Sequence, residues 1–368
     1  MSANLKLSLV LHFTNVKGTG AIQLLKSLLP AIEQNNQINV STMHIPDSGA
    51  LALYQSLNPT VKVLKYNRLL PNFISRIIEC FLWDWIEDDL TPILVLGDLP
   101  LRTKANQTVF VQNSHLLKPA KVRFELNYFK YVVSRLIFKK NLKYVNNIIV
   151  QTEVVKLGLL QTYGDIKANI YVIPQPVPQW LLNSRVNRTS RVEHDSELLN
   201  LFYPAAFYPH KNHQLLSEIA TEKKIWPIKK LTLTIEPIPE LFSNIKWIDC
   251  IGLIEPEQVL QKYSEVDALL FLSKEESFGF PLIEAMYLGL PIVCPDLPYA
   301  RILCGDEAIY FEPNSVSSLH RAVYILKEKL DNGWWPKWHD QLRLLPNDWS
   351  EVAELMATIT ISVEKVVE

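Results

Sequence analysis

The sequence predicts an α/β protein made of two doubly wound, Rossmann-like domains. Three observations carry this. Short Val/Ile/Leu runs alternate with helical patterns along the chain, and continuous apolar strands suit parallel sheets covered on both faces. The alternation breaks once, at residues 174–197 (PQPVPQWLLNSRVNRTSRVEHDSE), which hold three prolines and then a polar stretch and read as a linker. The chain has 368 residues, which suits two domains at roughly 100–200 residues each.

Taken in order, Leu5–Phe13 (LKLSLVLHF) reads as the first strand, and residues 21–32 (AIQLLKSLLPAI) as a helix after a Gly-containing turn. Strand-like runs follow at Ile38–Met43, Val61–Tyr66, Ile93–Leu96, Thr108–Val111, Asn146–Gln151 and Ile170–Pro174. Beyond the linker they recur at residues 198–204, 231–235, 245–252, 267–273, 290–296 and 308–313. Helical patterns lie between them at Asn212–Ile225, Glu257–Tyr263, Pro281–Leu288 and Val316–Leu330. No internal repeat is evident. Two such domains with a Pro-rich hinge predict one cleft between them. Ligands of these sheets bind outside the carboxyl ends of the strands.

Composition excludes several classes. The chain is 48% hydrophobic and 20% charged, which rules out a disordered protein. No apolar run reaches about 18 residues, so no spanning helix is expected. The N-terminus lacks the pattern of an export signal, and a cytoplasmic protein is expected. Cys80, Cys250, Cys294 and Cys304 fit no zinc-ligand spacing and read as reduced, packed thiols. Net charge is −1 overall, but residues 1–180 carry +8 and residues 181–368 carry −9. Either the first half meets an anionic surface or substrate, or the imbalance belongs to two solvated surfaces.

The densest chemistry lies in residues 269–296 (LLFLSKEESFGFPLIEAMYLGLPIVCPD). A strand ends near Ser273, and a helix starts near Pro281, a residue suited to a first turn. The amides of Phe278, Gly279, Phe280 and Leu282 then stand at a helix N-terminus, where an anion is favoured. Glu276 and Glu284 lie eight positions apart. A carboxylate at 284 can accept hydrogen bonds from a vicinal diol. Taken singly, Glu276 is a cap and Glu284 a solvated helix residue; together they are more specific.

This stretch resembles the E-x7-E signature of retaining glycosyltransferases of family 4, or glycosyl transferases group 1, which have the GT-B fold. Residues 146–178, the segment YPHKNHQLL at 208–216 and the segment NDWSEVAELM at 347–356 are similar to other parts of that family. The resemblance implies two Rossmann-like domains facing across a cleft, with a final helix that crosses back to the first. Residues 1–177 with 349–368 then form an acceptor domain, and 178–348 a donor domain. It implies that Glu276 binds the donor sugar, Glu284 the nucleotide ribose, Lys211 the diphosphate, and that the 278–282 amides and Ser277 line the same site. The family's second phosphate cation falls on Ala206, a departure that leaves either His210 beside Lys211 or a basic residue of the first domain to compensate. A cation where charge develops favours the transition state.

In the first half, Gly18, Thr19 and Gly20 follow the first strand. They read equally as a phosphate-facing turn or a plain tight turn. Gln112, Asn113 and His115 follow another strand. A family histidine that faces the reacting sugar aligns with either Gln112 or His115, and His115 reads otherwise as a loop residue bonded to backbone. There is no DxD motif, and Asp84–Asp89 (DWIEDD) fits a solvated helix face, so no metal or other cofactor is expected beyond a nucleotide-diphospho-sugar co-substrate. Between Lys118 and Lys143 lie eight Lys or Arg and one acidic residue, with aromatics between them. This reads as a basic amphipathic helix for anionic lipid and a lipid-linked acceptor, or as a core helix with a basic outer face. Nucleic acid is not expected, since no recognition motif accompanies it. The implied reaction is retaining, metal-independent glycosyl transfer in surface polysaccharide assembly, at the inner face of the cytoplasmic membrane. A sugar-nucleotide epimerase and a non-catalytic glycan-binding protein are the alternatives.

Overall fold

A computed structural model describes residues 7–16, 18–66, 72–86, 90–117, 128–182, 184, 186, 188–190, 197–219, 225–242 and 244–362. The chain divides into two compact units, Met1–Pro176 with Pro346–Glu368, and Val177–Leu345.

The first unit is built on seven parallel strands: β1 (Leu7–His12), β2 (Ile38–Pro46), β3 (Lys62–Tyr66), β4 (Ile93–Val95), β5 (Gln107–Val111), β6 (Asn147–Val150) and β7 (Asn169–Val172). Their order is β3-β2-β1-β4-β5-β6-β7. Strands β4, β5 and β6 are buried at every position, as the apolar runs require of a sheet covered on both faces. The helices are α1 (Thr19–Gln34), α2 (Asn72–Ile86), α3 (Tyr128–Asn141) and α4 (Glu153–Tyr163). Of helix α2, only the end that overlaps the acidic run at Asp84–Asp89 was expected as helix.

The second unit holds six parallel strands: β8 (Leu199–Tyr203), β9 (Ile228–Leu233), β10 (Ile248–Cys250), β11 (Ala268–Leu270), β12 (Ile292–Pro295) and β13 (Ile309–Phe311). Their order is β10-β9-β8-β11-β12-β13. Its helices are α5 (Gln179–Leu182), α6 (Gln214–Ile219), α7 (Pro239–Phe242), α8 (Pro256–Glu265), α9 (Phe280–Tyr287), α10 (Pro298–Cys304), α11 (Val316–Asp331) and α12 (His339–Leu342). Two expectations are corrected. The stretch read wholly as linker carries α5, whose Leu181 is fully buried in the second core, because WLL supplies apolar side chains. The helical pattern at Asn212–Ile225 forms helix only over Gln214–Ile219; residues 220–224 lie outside the described residues.

The last helix, α13 (Trp349–Ile361), belongs to the first unit. Asp348 caps it by accepting the Glu351 N–H. Its buried face includes Trp349, Val352, Ala353, Met356 and Ala357, and the Asn147 side chain donates to the Ile359 carbonyl at 2.9 Å.

Strand order reverses direction once in each sheet, at β1/β4 and at β8/β11. Doubly wound sheets take ligands at the carboxyl edge of such a switch point.

Candidate active site

At the switch of the second sheet, the loop after β8 meets the loop after β11. Lys211 ends a short 3₁₀ turn, Pro209–Lys211, and Asn212 stops it in the left-handed region (φ 58°, ψ 29°), a conformation asparagine tolerates. The Asn212 side chain donates to the Pro313 carbonyl at 3.0 Å, and the Tyr203 hydroxyl donates to the Lys211 carbonyl at 2.7 Å. The two loops are tied directly. The Lys274 N–H donates to the His210 carbonyl at 2.7 Å, and the Ser273 hydroxyl donates to the same carbonyl at 3.3 Å.

This bracing brings the Lys211 ammonium 2.5 Å from Glu276 Oε1, with the two side chains only 17% and 11% exposed. Lys211 is therefore not the exposed first-turn lysine of a helix; it precedes α6. An ammonium has three donors, so Lys211 can hold Glu276 and still donate to an anion. His210 stacks its ring flat against Tyr208 at 5.6 Å. His213, next in the buried wall, stacks on Tyr203. Burial and the Lys211 charge push its pKa down to about 4, so it is neutral near pH 7 and adds no cation.

The loop from β11 reaches α9 through Gly279, which takes φ 95°, a backbone region that side chains strain to enter. The N–H groups of Phe278, Gly279 and Phe280 have no acceptor among the described residues and stand at the positive end of α9. Phe278 is buried and edge-on to Phe280, which fixes this turn, and Ser277 is half-buried beside it. One expected donor is corrected. The Leu282 N–H already bonds the Gly279 carbonyl at 3.0 Å, and its side chain is fully buried.

Glu284 lies one turn into α9. Its Oε2 accepts the Tyr263 hydroxyl of α8 at 2.9 Å. Burial raises its pKa to about 7, against the lowering effect of that hydroxyl. Glu284 thus shares a helix with the amide turn but bonds neither Lys211 nor Glu276. Tyr263, its partner, carried no sequence signal, because the contact joins two helices.

In the first unit, Gly18 is the N-cap of α1 with φ −68°, so it needs no glycine conformation. A side chain at Gly18 or Gly20 would meet nothing within 4 Å. Thr19 is the first residue of α1. The His115 ring stacks on Tyr131 of α3 at 4.1 Å, and its carbonyl accepts Arg135. Gln112 donates its side-chain amide to the Leu96 carbonyl at 3.0 Å. Its backbone N–H donates to Asp98 at 2.6 Å.

Asp98 was missed by the sequence reading, although a Gly-Asp pair just past a strand was a usable signal. It has φ 68°. Burial raises its pKa to about 6, with the Gln112 and Asn113 amides and Arg76 opposing the rise.

Of the basic stretch 118–143, residues 118–127 lie outside the described residues. Helix α3 buries Ile137 and Phe138 and exposes Phe129, Lys130, Leu136, Lys139 and Lys140. Asp84 caps the Lys104 N–H, while residues 87–89 of the acidic run lie outside the described residues. Among the described residues, no helix is long and apolar enough to cross a membrane. No group of three or more His, Cys, Asp or Glu among them is placed to hold a metal.

Residues 243–331 match the family described as "Glycosyl transferases group 1". This is a group 1 glycosyl transferase segment. It contains Glu276, the amide turn and Glu284; Lys211 precedes it. The chain is 30% identical to O-antigen chain mannosyltransferase B of Escherichia coli over 88 residues, 24% of this chain and 23% of that protein. It is 22% identical to O-antigen chain mannosyltransferase RfbU of Salmonella typhimurium over 61% of this chain and 62% of that protein. The matches thus span between a quarter and three-fifths of these relatives. Across the whole fold, the chain is similar to a sucrose-phosphate synthase from Thermosynechococcus elongatus, at 14% identity and TM-score 0.65, covering 96% of this chain and 98% of the other. It is also similar to WaaG, a glycosyltransferase involved in lipopolysaccharide biosynthesis, at 12% identity and TM-score 0.64, covering 96% and 99%. The group 1 segment therefore sits in a chain with the GT-B fold.

Proposed function

We propose that this chain is a retaining glycosyltransferase of family 4. It moves a hexosyl group from a nucleotide-diphospho-sugar to a glycan or lipid-linked glycan in surface polysaccharide assembly, without a metal ion. The observation that carries the reading is the Lys211–Glu276 pair at 2.5 Å, set at the sheet's switch point beside a turn of free amides. The group 1 segment and the O-antigen mannosyltransferase relatives support the same class.

In this reading the acceptor oxygen bonds to the anomeric carbon as the carbon–phosphate-oxygen bond breaks, on one face of the sugar. The hydroxyl proton passes to an oxygen of the departing diphosphate. Lys211 and the 278–280 amides receive the charge that grows on that diphosphate. Glu276 orients the sugar hydroxyls and keeps Lys211 in place, and Glu284 accepts the ribose diol. The exposed Phe129, Leu136 and lysines of α3 rest on anionic lipid at the inner membrane face.

A thermal-shift screen of UDP-, GDP- and ADP-sugars finds the donor, because a ligand that binds only the native state raises its melting point. With that donor, Lys211→Met lowers kcat by about 10²–10³-fold, whereas EDTA changes nothing and the product keeps the donor's anomeric configuration. Conversion of the sugar nucleotide without acceptor would instead identify an epimerase. Unchanged turnover in Lys211→Met would remove the site.

A further inference from the structure

Under the first sheet's switch point lies a charged cluster with no place in the chemistry above. Glu79 of α2 is fully buried. It accepts Arg76 Nη1 at 2.7 Å, His12 Nε2 at 2.9 Å and the Thr14 hydroxyl. Burial would raise its carboxyl, but Arg76, His12 and Thr14 outweigh that and hold it well below the carboxylate range. Burial keeps His12 neutral. Burying an Arg–Glu pair is expensive, and apolar side chains of similar volume often serve stability as well. Stability alone does not account for its presence.

Its remaining donors show where it acts. Arg76 Nη2 reaches the Gly97 carbonyl at 3.3 Å and the Leu99 carbonyl at 3.4 Å. These two carbonyls flank Asp98. The Leu99 N–H bonds the Gly97 carbonyl at 2.8 Å, so Asp98, at φ 68°, is the middle of a three-residue γ-turn. With a positive φ that turn is rare and strained. A residue held there needs its surroundings to enforce it, and such strain gathers at functional sites. The enforcement is visible on three sides. Arg76 grips both carbonyls, the Gln112 side chain holds Leu96, and the Gln112 N–H fixes the Asp98 carboxylate. Gly97 lets the loop lie against Asn15 of the loop after β1, whose Cβ would be 3.3 Å from a Cβ added there.

We propose that Arg76, braced by Glu79, is a positioning residue of the transfer reaction. It holds the strained turn that presents Asp98 at the carboxyl edge of the first sheet, where the Asp98 carboxylate binds a substrate hydroxyl. The proposal rests on the glycosyltransferase reading for its hydroxyl, but the strained turn itself does not.

Two measurements on the intact chain separate these parts. The first is thermal melting without ligand. Asp98→Gly suits φ 68° and relieves the turn, but it also gives up the bond from the Gln112 N–H, so its own melting point does not decide the matter. Arg76→Lys lowers melting more in the wild-type background than in Asp98→Gly, because its grip serves the strained turn. Equal losses in both backgrounds overturn the proposal, and this holds whatever reaction the protein runs.

The second is steady-state turnover of the sugar nucleotide that the screen identifies, GDP-mannose being tried first, with octyl α-mannoside as acceptor. Assayed well below its melting point, Arg76→Lys loses about tenfold or more in kcat, as expected for a displaced reacting group, and its donor KM stays within about twofold of wild type. The double variant Arg76→Lys/Asp98→Gly is no slower than Asp98→Gly alone. An Arg76→Lys protein that is folded and turns over as wild type, or single losses that multiply in the double variant, overturns the positioning role. If wild type neither turns over nor is stabilised by any sugar nucleotide, the glycosyltransferase reading falls, and the melting comparison still decides the turn. If Arg76→Lys does not fold, Glu79→Gln, which keeps an acceptor for Arg76 but removes the charge that braces it, must show the same kcat-selective loss or the proposal fails.

Discussion

At Glu284, a carboxyl group sits against the Tyr263 hydroxyl with its pKa raised to about 7 from 4.5. The folded state therefore binds a proton more tightly than the unfolded chain. Its contribution to stability is complete below about 4.5 and is lost as pH rises through about 7. Melting followed from pH 5 to pH 8 should fall more steeply in wild type than in Glu284→Gln, which keeps an acceptor for Tyr263; parallel curves would refute this environment. At the same scale, the sequence exposed the residue types but not their partners. Glu276 and Glu284 stood out by spacing, yet the first bonds a lysine 65 positions away and the second a tyrosine 21 positions away. Asp98 was legible only as a Gly-Asp pair past a strand; its positive backbone angle is not encoded in composition.

Among the elements, α9 is eight residues long, too short to persist alone. It exists because Leu282, Ile283, Ala285 and Met286 enter the core and Gly279 turns the chain into it. A side chain at 279 would meet only ordinary contacts, Leu282 at 3.4 Å and Leu303 at 3.6 Å, so the penalty of Gly279→Ala is conformational. It should be about 1–2 kcal/mol, with weaker donor binding as the amides tilt; a variant as stable and as tightly binding as wild type would show that the left-handed turn is unimportant. Element existence was legible wherever apolar runs were long. Most of helix α2 was missed, because its buried Arg76 and Glu79 look from sequence like solvent-facing charges. The reach of the Pro-rich linker was overestimated because Val177 and Leu181 join the second core and Trp180, Leu182 and Val186 pack against it.

For the whole molecule, the first unit is completed by the last segment of the chain. Met356 is fully buried in that segment, and truncating such a side chain costs about 2–5 kcal/mol. Met356→Ala should lower the melting of the first unit and, on the proposed function, leave in place any stabilisation of the second by a nucleotide-sugar. A single transition, shifted together with loss of nucleotide binding, would show that the two units melt as one.

By itself, the sequence determined two wound α/β units, their parallel sheets and the loop and helix that carry the two glutamates, because apolar periodicity, Gly and Pro act locally. Only the tertiary structure decided that Lys211 bonds Glu276, that Leu282's amide is already bonded, and that a buried Arg–Glu pair grips the turn at Asp98. Those outcomes depend on strand order, and strand order sets which distant loops lie side by side.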